Sequence, residues 1–245
     1  MIGLSLWLER KMTRVFLNDD QKLSPEDLHH LFHVLRMRAG DSLEAVYKRD
    51  LYRARLTDHS AQDGSLALEE KLEARQKDYR VFLLQGLAKG QKWEEVLEHG
   101  TEVGIDVFVA IQMKRSLRKV DHKWDKLKNR WEKIVEKAAK QSKQVDIPQV
   151  YPPMTLKEGL EILPKDSLIL VCYEEEKDHF MKDYIQGQEK NIALIIGPEG
   201  GLDSEEVDLI KARGGHPVSL GKNILRTETA PLIAGDRVYC LMEER

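Results

Sequence analysis

Cysteine is nearly absent: Cys172 and Cys240 are the only two in 245 residues, and each lies inside an apolar run. Two thiols so placed support neither a disulfide framework nor a cysteine-based metal centre, so both are expected in the core. Long apolar runs are missing as well. Ile2 to Leu8 is seven residues long with its positive charges after it, which fits neither a membrane-spanning helix nor a secretory signal. The common phosphate-binding fingerprints do not occur either. No G-x-G-x-x-G follows the first α/β strand, Tyr79 to Gln85, and no G-x-x-x-x-G-K-[ST] is present, so dehydrogenase and P-loop readings lose their main support. Internal repeats and low-complexity segments are lacking too.

What is present reads as a cytosolic protein of two modest domains. With 41% hydrophobic residues, the chain is long enough for two cores and too apolar for disorder. Strand-like runs at Thr13 to Leu17, Ser42 to Lys48, Leu51 to Thr57 and Ser65 to Glu70 surround one helix starting at Ser24-Pro25, which predicts a small β-rich domain over residues 12–75. From residue 78 to 245 the pattern alternates. Val81 to Gln85, Val107 to Met113, Leu168 to Tyr173, Ile192 to Ile196 and Val218 to Leu220 are candidate strands between helical stretches, the signature of an α/β domain. The charged linker Glu69 to Asp78 marks the expected boundary, and residues 1–11 read as an N-terminal extension.

The chemistry concentrates near the C-terminus. Ile192 to Ile196 is short, branched and uncharged, as a strand buried on both faces would be, which implies a parallel sheet. Gly197-Pro198-Glu199-Gly200-Gly201 follows it directly, and its glycines let bare peptide groups approach a ligand. Asp203 with Glu206 forms a capping-box pattern that predicts a helix ending at Gly214-Gly215. The cycle then repeats: His216 to Leu220 is a strand, Gly221 to Asn223 its loop, and Thr229-Ala230-Pro231 the N-cap of a helix with proline at N1. Both loops fall at the carboxyl ends of strands, where open α/β sheets bind ligands.

GPEGG followed by Leu220-Gly221-Lys222-Asn223-Ile224-Leu225-Arg226-Thr227-Glu228-Thr229-Ala230 resembles the SPOUT superfamily of knotted S-adenosylmethionine-dependent methyltransferases, and within it the 16S ribosomal RNA uridine-N3-methyltransferase family. Lys89 to Glu94, Gly100 to Gly104, Lys114-Arg115-Ser116, Ala138 to Ser142, Tyr173-Glu174-Glu175 and the stretch from His29 to Asp41 fall in that family's order, so the likeness runs from about residue 13 to about 240. It implies a trefoil-knotted α/β domain with a mainly parallel sheet, preceded by a PUA-like β-barrel; general topology rules alone argue against a knot. Met12 to Leu17 is similar to the family's usual beginning, which makes Met12 a candidate start.

The resemblance implies S-adenosyl-L-methionine as cofactor, 16S rRNA within the small ribosomal subunit as substrate, a homodimer, and no metal or membrane. Tyr173, Gly197, Pro198, Glu199, Gly200, Gly201, Leu220, Gly221, Ile224, Leu225, Thr229 and Ala230 are the expected cofactor site. Arg226 and Glu228 are the candidate catalytic pair: Arg226 to donate to the uracil oxygens or the adjacent phosphate, Glu228 to assist deprotonation or to hold Arg226. Arg14, His30, Arg36, Arg38, Lys92 and Arg115 are expected at the RNA. His99, Lys137, Gln144 and Asn223 depart from the family pattern. A non-catalytic RNA-binding or ribosome-assembly factor on the same fold is the alternative, against which the intact GPEGG and ILRTETA stand.

Charge fits an RNA partner only by distribution. The net charge of -3 gives no basic excess, yet residues 114–143 hold twelve Lys or Arg against four Asp or Glu. The competing explanation is a solvated helix laced by pairs such as Lys128 with Glu132 and Glu136 with Lys140. His29 and His33 have the i, i+4 spacing of a two-histidine metal site, but position 30 is histidine where a metalloprotease carries glutamate, and no third ligand is evident nearby.

Overall fold

The structure is a computed structural model that describes residues 12–74, 76–116 and 124–243. The expected extension at 1–11 lies outside them, as do residues 117–123 of the basic segment. The chain forms two compact units, one of the described residues up to Gln76 together with Lys140–Asp146, the other of Lys77–Ala139 and the chain from Ile147 on.

In the first unit, β1 (Arg14–Phe16) pairs in parallel with β2 (Ser42–Tyr47), which continues antiparallel to β3 (Asp50–Leu56) and β4 (Leu66–Leu72). Lys48 and Arg49 both take positive φ, 50° and 69°, between the paired Tyr47 and Asp50. That is the two-residue hairpin whose twist matches its strands. Leu43 and Ala45 of β2 meet Ala54 and Leu56 of β3 in one core with Val15, Leu23 and Leu31. The sheet is joined at Lys22–Ser65 by an isolated bridge that brings the chain after β1 to the start of β4. Ser24 caps α1 (Pro25–His29), its hydroxyl accepting from the Asp27 amide at 3.1 Å. A π-helical turn, His30–Val34, follows, and Arg36 leaves it at a φ of 56°. α2 (Ser60–Asp63) lies between β3 and β4.

Arg14, expected at RNA, is enclosed within its own unit. Its side chain is only 6% exposed; Nε donates to Glu44 at 2.9 Å, and the guanidinium also donates to the carbonyls of Lys143 and Gln144. A cation so enclosed holds the fold of this unit and has no face left for a phosphate.

The second unit is a six-stranded sheet in the order β10-β8-β9-β5-β6-β7, with every pairing parallel. The strands are β5 (Arg80–Gly86), β6 (Val107–Gln112), β7 (Gln149–Thr155), β8 (Leu168–Cys172), β9 (Asn191–Ile196) and β10 (His216–Val218). Alternate residues feed two cores, one on each face: Ile192, Leu194 and Ile196 enter one, Ala193 and Ile195 the other. The first is closed by helices α3 (Lys92–Glu102), α4 (Trp124–Gln141) and α7 (Ala230–Glu243), with Trp93, Trp131 and Phe108 packed edge to face. The second is covered by α5 (Leu156–Glu161) and α6 (Ser204–Ala212).

Three differences from the sequence expectation have local causes. β7 went unpredicted because Pro152 and Pro153 fall inside it; the strand tolerates them at the sheet edge, beside a register shift opposite Val109 and Ile111. β10 stops at Val218, since Ser219 donates instead to the His179 carbonyl at 2.8 Å. α7 starts at Ala230, placing Pro231 second. α6 has both halves of its expected capping box.

Candidate active site

The order of the strands reverses between β9 and β5, and the chain beyond the carboxyl ends of β8, β9 and β10 walls a cavity of about 400 Å³. Its size and place are those of a small-molecule site at the switch point of an α/β sheet. Tyr173 and Glu174 come from the turn after β8, Gly197 to Glu199 and Gly201 from the loop after β9, and Leu220 to Thr227 from the loop after β10. Ile196, Leu202 and Ala230 supply apolar wall.

The two loops are fixed to each other through β5. Gln85 is fully buried; its Nε2 donates to the carbonyl of Thr227 at 3.1 Å and to its hydroxyl at 2.7 Å. The Thr227 hydroxyl in turn donates to the Gly197 carbonyl at 2.9 Å. At the next residue, a Cβ on Gly86 would fall 2.4 Å from the Pro198 nitrogen, so only glycine lets β5 and the GPEGG loop pass this closely. Gly221 lines the cavity at a φ of 119°, where a side chain is strained whatever the space.

A second set of contacts gathers charge beside the cavity. Lys92, the first residue of α3 and part of the cavity wall, places Nζ 3.2 Å from Glu228 and 3.7 Å from Glu199. The Glu228 contact is an ion pair off hydrogen-bonding alignment, since Oε2 has no hydrogen-bond partner. Glu199 also accepts from the Lys89 amide at 2.9 Å, anchoring the turn ahead of α3. Arg226 is 84% exposed at the mouth, with Nη1 4.0 Å from Glu228, whose side chain is 17% exposed. Desolvation raises the Glu228 carboxyl, but its own backbone amide, Lys92 and Arg226 together outweigh that and hold it below the usual value.

Most of the expected cofactor residues meet here: Tyr173, Gly197, Pro198, Glu199, Gly201, Leu220, Gly221, Ile224, Leu225 and Ala230 all line the cavity. Gly200 and Thr229 do not. Gly200 turns toward Arg115, where an added Cβ would meet the Arg115 Cβ at 3.0 Å, and the Thr229 amide donates to the Arg226 carbonyl at 2.9 Å in the turn into α7. Burial pushes the Cys172 thiol in the wall up to about 12. The nearby Glu175 carboxylate raises the Tyr173 phenol.

The residues expected at RNA divide between the two units. His30, Arg36 and Arg38 are exposed in the first unit. In the second, Arg115 is half exposed and donates to the Gly200 carbonyl at 3.3 Å, whereas Lys92 faces two carboxylates of the site itself. Lys128 pairs with Glu132 at 3.8 Å as expected of a solvated helix, while Lys140 reaches Asp27 at 2.7 Å. The His29 and His33 rings stack at 4.9 Å, and among the described residues no group of three or more His, Cys, Asp or Glu is placed to hold a metal ion. Among those residues no helix is long and apolar enough to cross a membrane. Sequence reasoning missed Gln85, Gly86 and the bridging place of Lys92. The signal for Gln85 was there: one amide closing the apolar run Val81 to Leu84.

The family model described as RNA methyltransferase domain matches residues 75–238, and the one described as RNA methyltransferase PUA domain matches residues 23–62. Fold and cavity are thus those of an RNA methyltransferase that carries a PUA domain. The chain is 33% identical over 222 residues to ribosomal RNA small subunit methyltransferase E of Bacillus subtilis, with 86% of each covered, and 34% identical over 225 residues to the protein of that name from Synechocystis, covering 90% of this chain and 73% of the other. The crystal structure of a ribosomal RNA small subunit methyltransferase E from Neisseria gonorrhoeae bound to S-adenosyl methionine superposes with a TM-score of 0.82 at 25% identity, over 94% of this chain and 98% of that one. The chain belongs to the ribosomal RNA small subunit methyltransferase E family.

Proposed function

We propose that this chain transfers a methyl group from S-adenosylmethionine to N3 of a uridine in 16S rRNA of the small ribosomal subunit. One observation carries the reading: of the two glycine loops that wall the cavity, the one after β10 carries the exposed guanidinium of Arg226 at the mouth, with Glu228 behind it. The relatives named for small-subunit rRNA methylation, and the one bound to S-adenosyl methionine, support it.

The cavity fits such a cofactor: apolar walls at Ile196, Leu220, Leu225 and Ala230 suit an adenine, and the peptide groups of Gly197, Gly201 and Gly221 are bare of side chains. When bound, the sulfonium supplies an electrophilic methyl. Uracil N3 carries a weakly acidic proton, so the protein's task is to align the base and to stabilise the negative charge that builds on O2 and O4 as that proton passes to solvent; N3 then takes the methyl as the S–CH3 bond breaks and the cofactor departs as the neutral thioether. Arg226 donates to these oxygens or to the neighbouring phosphate. Glu228, largely buried and paired, holds Arg226. No cysteine nucleophile is needed for attack through nitrogen.

On this reading two copies pair through a knotted α/β domain, and the domain at 12–75 contributes RNA contacts from His30, Arg36 and Arg38. The enzyme works in the cytoplasm without a metal. Calorimetry with S-adenosylmethionine, NAD and ATP, together with label transfer to small subunits lacking the modification, tests it: binding of the first alone and incorporation into 16S rRNA are expected, and binding of NAD or ATP instead would overturn it.

A further inference from the structure

Lysine at the first position of a helix is locally unfavourable, because the helix dipole repels a cation there. Lys92 nevertheless occupies that position in α3, and two carboxylates from distant parts of the chain, Glu199 and Glu228, converge on it at 3.7 and 3.2 Å. Positions where local preference is overruled by tertiary contacts are where function is to be sought. Each carboxylate belongs to a different wall: Glu199 sits inside GPEGG, Glu228 two residues after Arg226.

The geometry points to Lys92 as a positioning residue for methyl transfer: its ammonium fixes Glu228, and through it Arg226, while its second carboxylate, Glu199, ties that arrangement to the GPEGG loop. This rests on the function proposed above. Glu228 has two cations near it, Lys92 and Arg226, and Lys92 is the closer and the less exposed. With the ammonium removed, the Glu228 carboxylate keeps its own backbone amide and Arg226 at 4.0 Å, and the pair loses its tie to α3 and the GPEGG loop. Glu199 keeps its second anchor, the Lys89 amide, so the cofactor loop itself stays in place. Loss of Lys92 therefore separates alignment of the substrate from binding of the cofactor.

Lys92→Met and Lys92→Arg are compared in the full-length protein. Three quantities are read: S-adenosylmethionine affinity, single-turnover transfer of label at saturating small subunits, and the salt dependence of subunit binding. Lys92→Met is expected to slow the saturated step about 10- to 100-fold with cofactor affinity within a few-fold of wild type, Lys92→Arg to recover most of the rate, and Glu228→Gln to add little in the double variant. An unchanged saturated rate with weaker, less salt-dependent subunit binding would make Lys92 a phosphate contact and overturn the proposal. Equal loss of cofactor affinity in both variants would overturn it as well.

A second measurement needs no turnover. The Glu228 carboxyl, facing Lys92 from α3, Arg226 from its own loop and, beyond Lys92, Glu199, can be titrated by ¹³C NMR. Lys92→Met is expected to move its midpoint upward, and an unmoved midpoint would contradict the contact. Label transfer is counted whatever the nucleoside. A wild-type product other than 3-methyluridine therefore sinks the substrate reading separately from the Lys92 comparison, and with no label transferred the Glu228 titration alone decides whether Lys92 holds that carboxylate.

Discussion

Gln85 Nε2 donates to both the carbonyl and the hydroxyl of Thr227, 142 residues further along the chain, at 3.1 and 2.7 Å. Since the same hydroxyl donates to the Gly197 carbonyl at 2.9 Å, one buried amide ties the end of β5 to both loops of the cavity. Gln85→Leu leaves two Thr227 acceptors without their donor. It is expected to destabilise the protein by ~1–3 kcal/mol in urea unfolding and to weaken S-adenosylmethionine binding. Wild-type stability and affinity would show that the loops are held by other contacts.

Gly86 and Gly221 are sensitive for different reasons. Gly86→Val drives a side chain into the Pro198 backbone, and Gly221→Val strains a φ of 119°. Both are expected to abolish cofactor binding measurable by calorimetry, whereas Lys222→Ala, in the same loop, leaves peptide geometry alone and keeps affinity within a few-fold. Gly200→Val, away from the cavity, is expected to disturb the Arg115 turn more than the cofactor.

Arg226 is 84% exposed and makes only a 4.0 Å approach to Glu228, so its removal leaves nothing buried without a partner. Arg226→Ala is expected to lower the saturated rate ~100-fold or more at unchanged cofactor affinity and unchanged Tm. Unchanged turnover would remove Arg226 from the chemistry.

The two glycine loops were legible in the sequence because each follows a short strand and precedes a helix start, and that pattern needs only neighbours to be read. What depended on distant partners was not. Arg14 counted as available positive charge until Glu44 and the carbonyls of Lys143 and Gln144 enclosed it. The two carboxylates near Lys92, Glu199 and Glu228, were likewise out of reach of the sequence. β7 was hidden because a strand with two prolines is acceptable only at an edge, and edge position is a property of the sheet. Gly200 and Thr229 sit in the expected motifs, but a motif does not say which of its residues line the cavity.

Glu176 shows how the turn after β8 is held. The amides of Asp178 and His179 donate to its carboxylate at 2.8 and 3.1 Å and, with the His179 ring, lower its pKa to about 2. A carboxyl depressed on folding stabilises the protein fully above its unfolded pKa of 4.5, and the stabilisation disappears as pH falls toward about 2. Glu176→Gln should therefore show a constant deficit in urea midpoint from pH 8 to 5 that shrinks below pH 4. A deficit independent of pH would contradict the assignment.

Burial that pushes the Cys172 thiol to about 12 leaves almost no thiolate at neutral pH. Iodoacetamide at pH 8 is expected to spare Cys172 in the folded protein and to label it in urea, as read by peptide mass spectrometry. Rapid labelling of the native protein would show a reactive thiol in the cavity wall and reopen covalent catalysis.

The most direct measurement of the central claim is the nucleoside product. Small subunits lacking the modification are incubated with the protein and methyl-labelled S-adenosylmethionine, and the 16S rRNA is digested for mass spectrometry. Labelled 3-methyluridine is the predicted result; label in any other nucleoside, or none, would contradict N3 methylation of uridine.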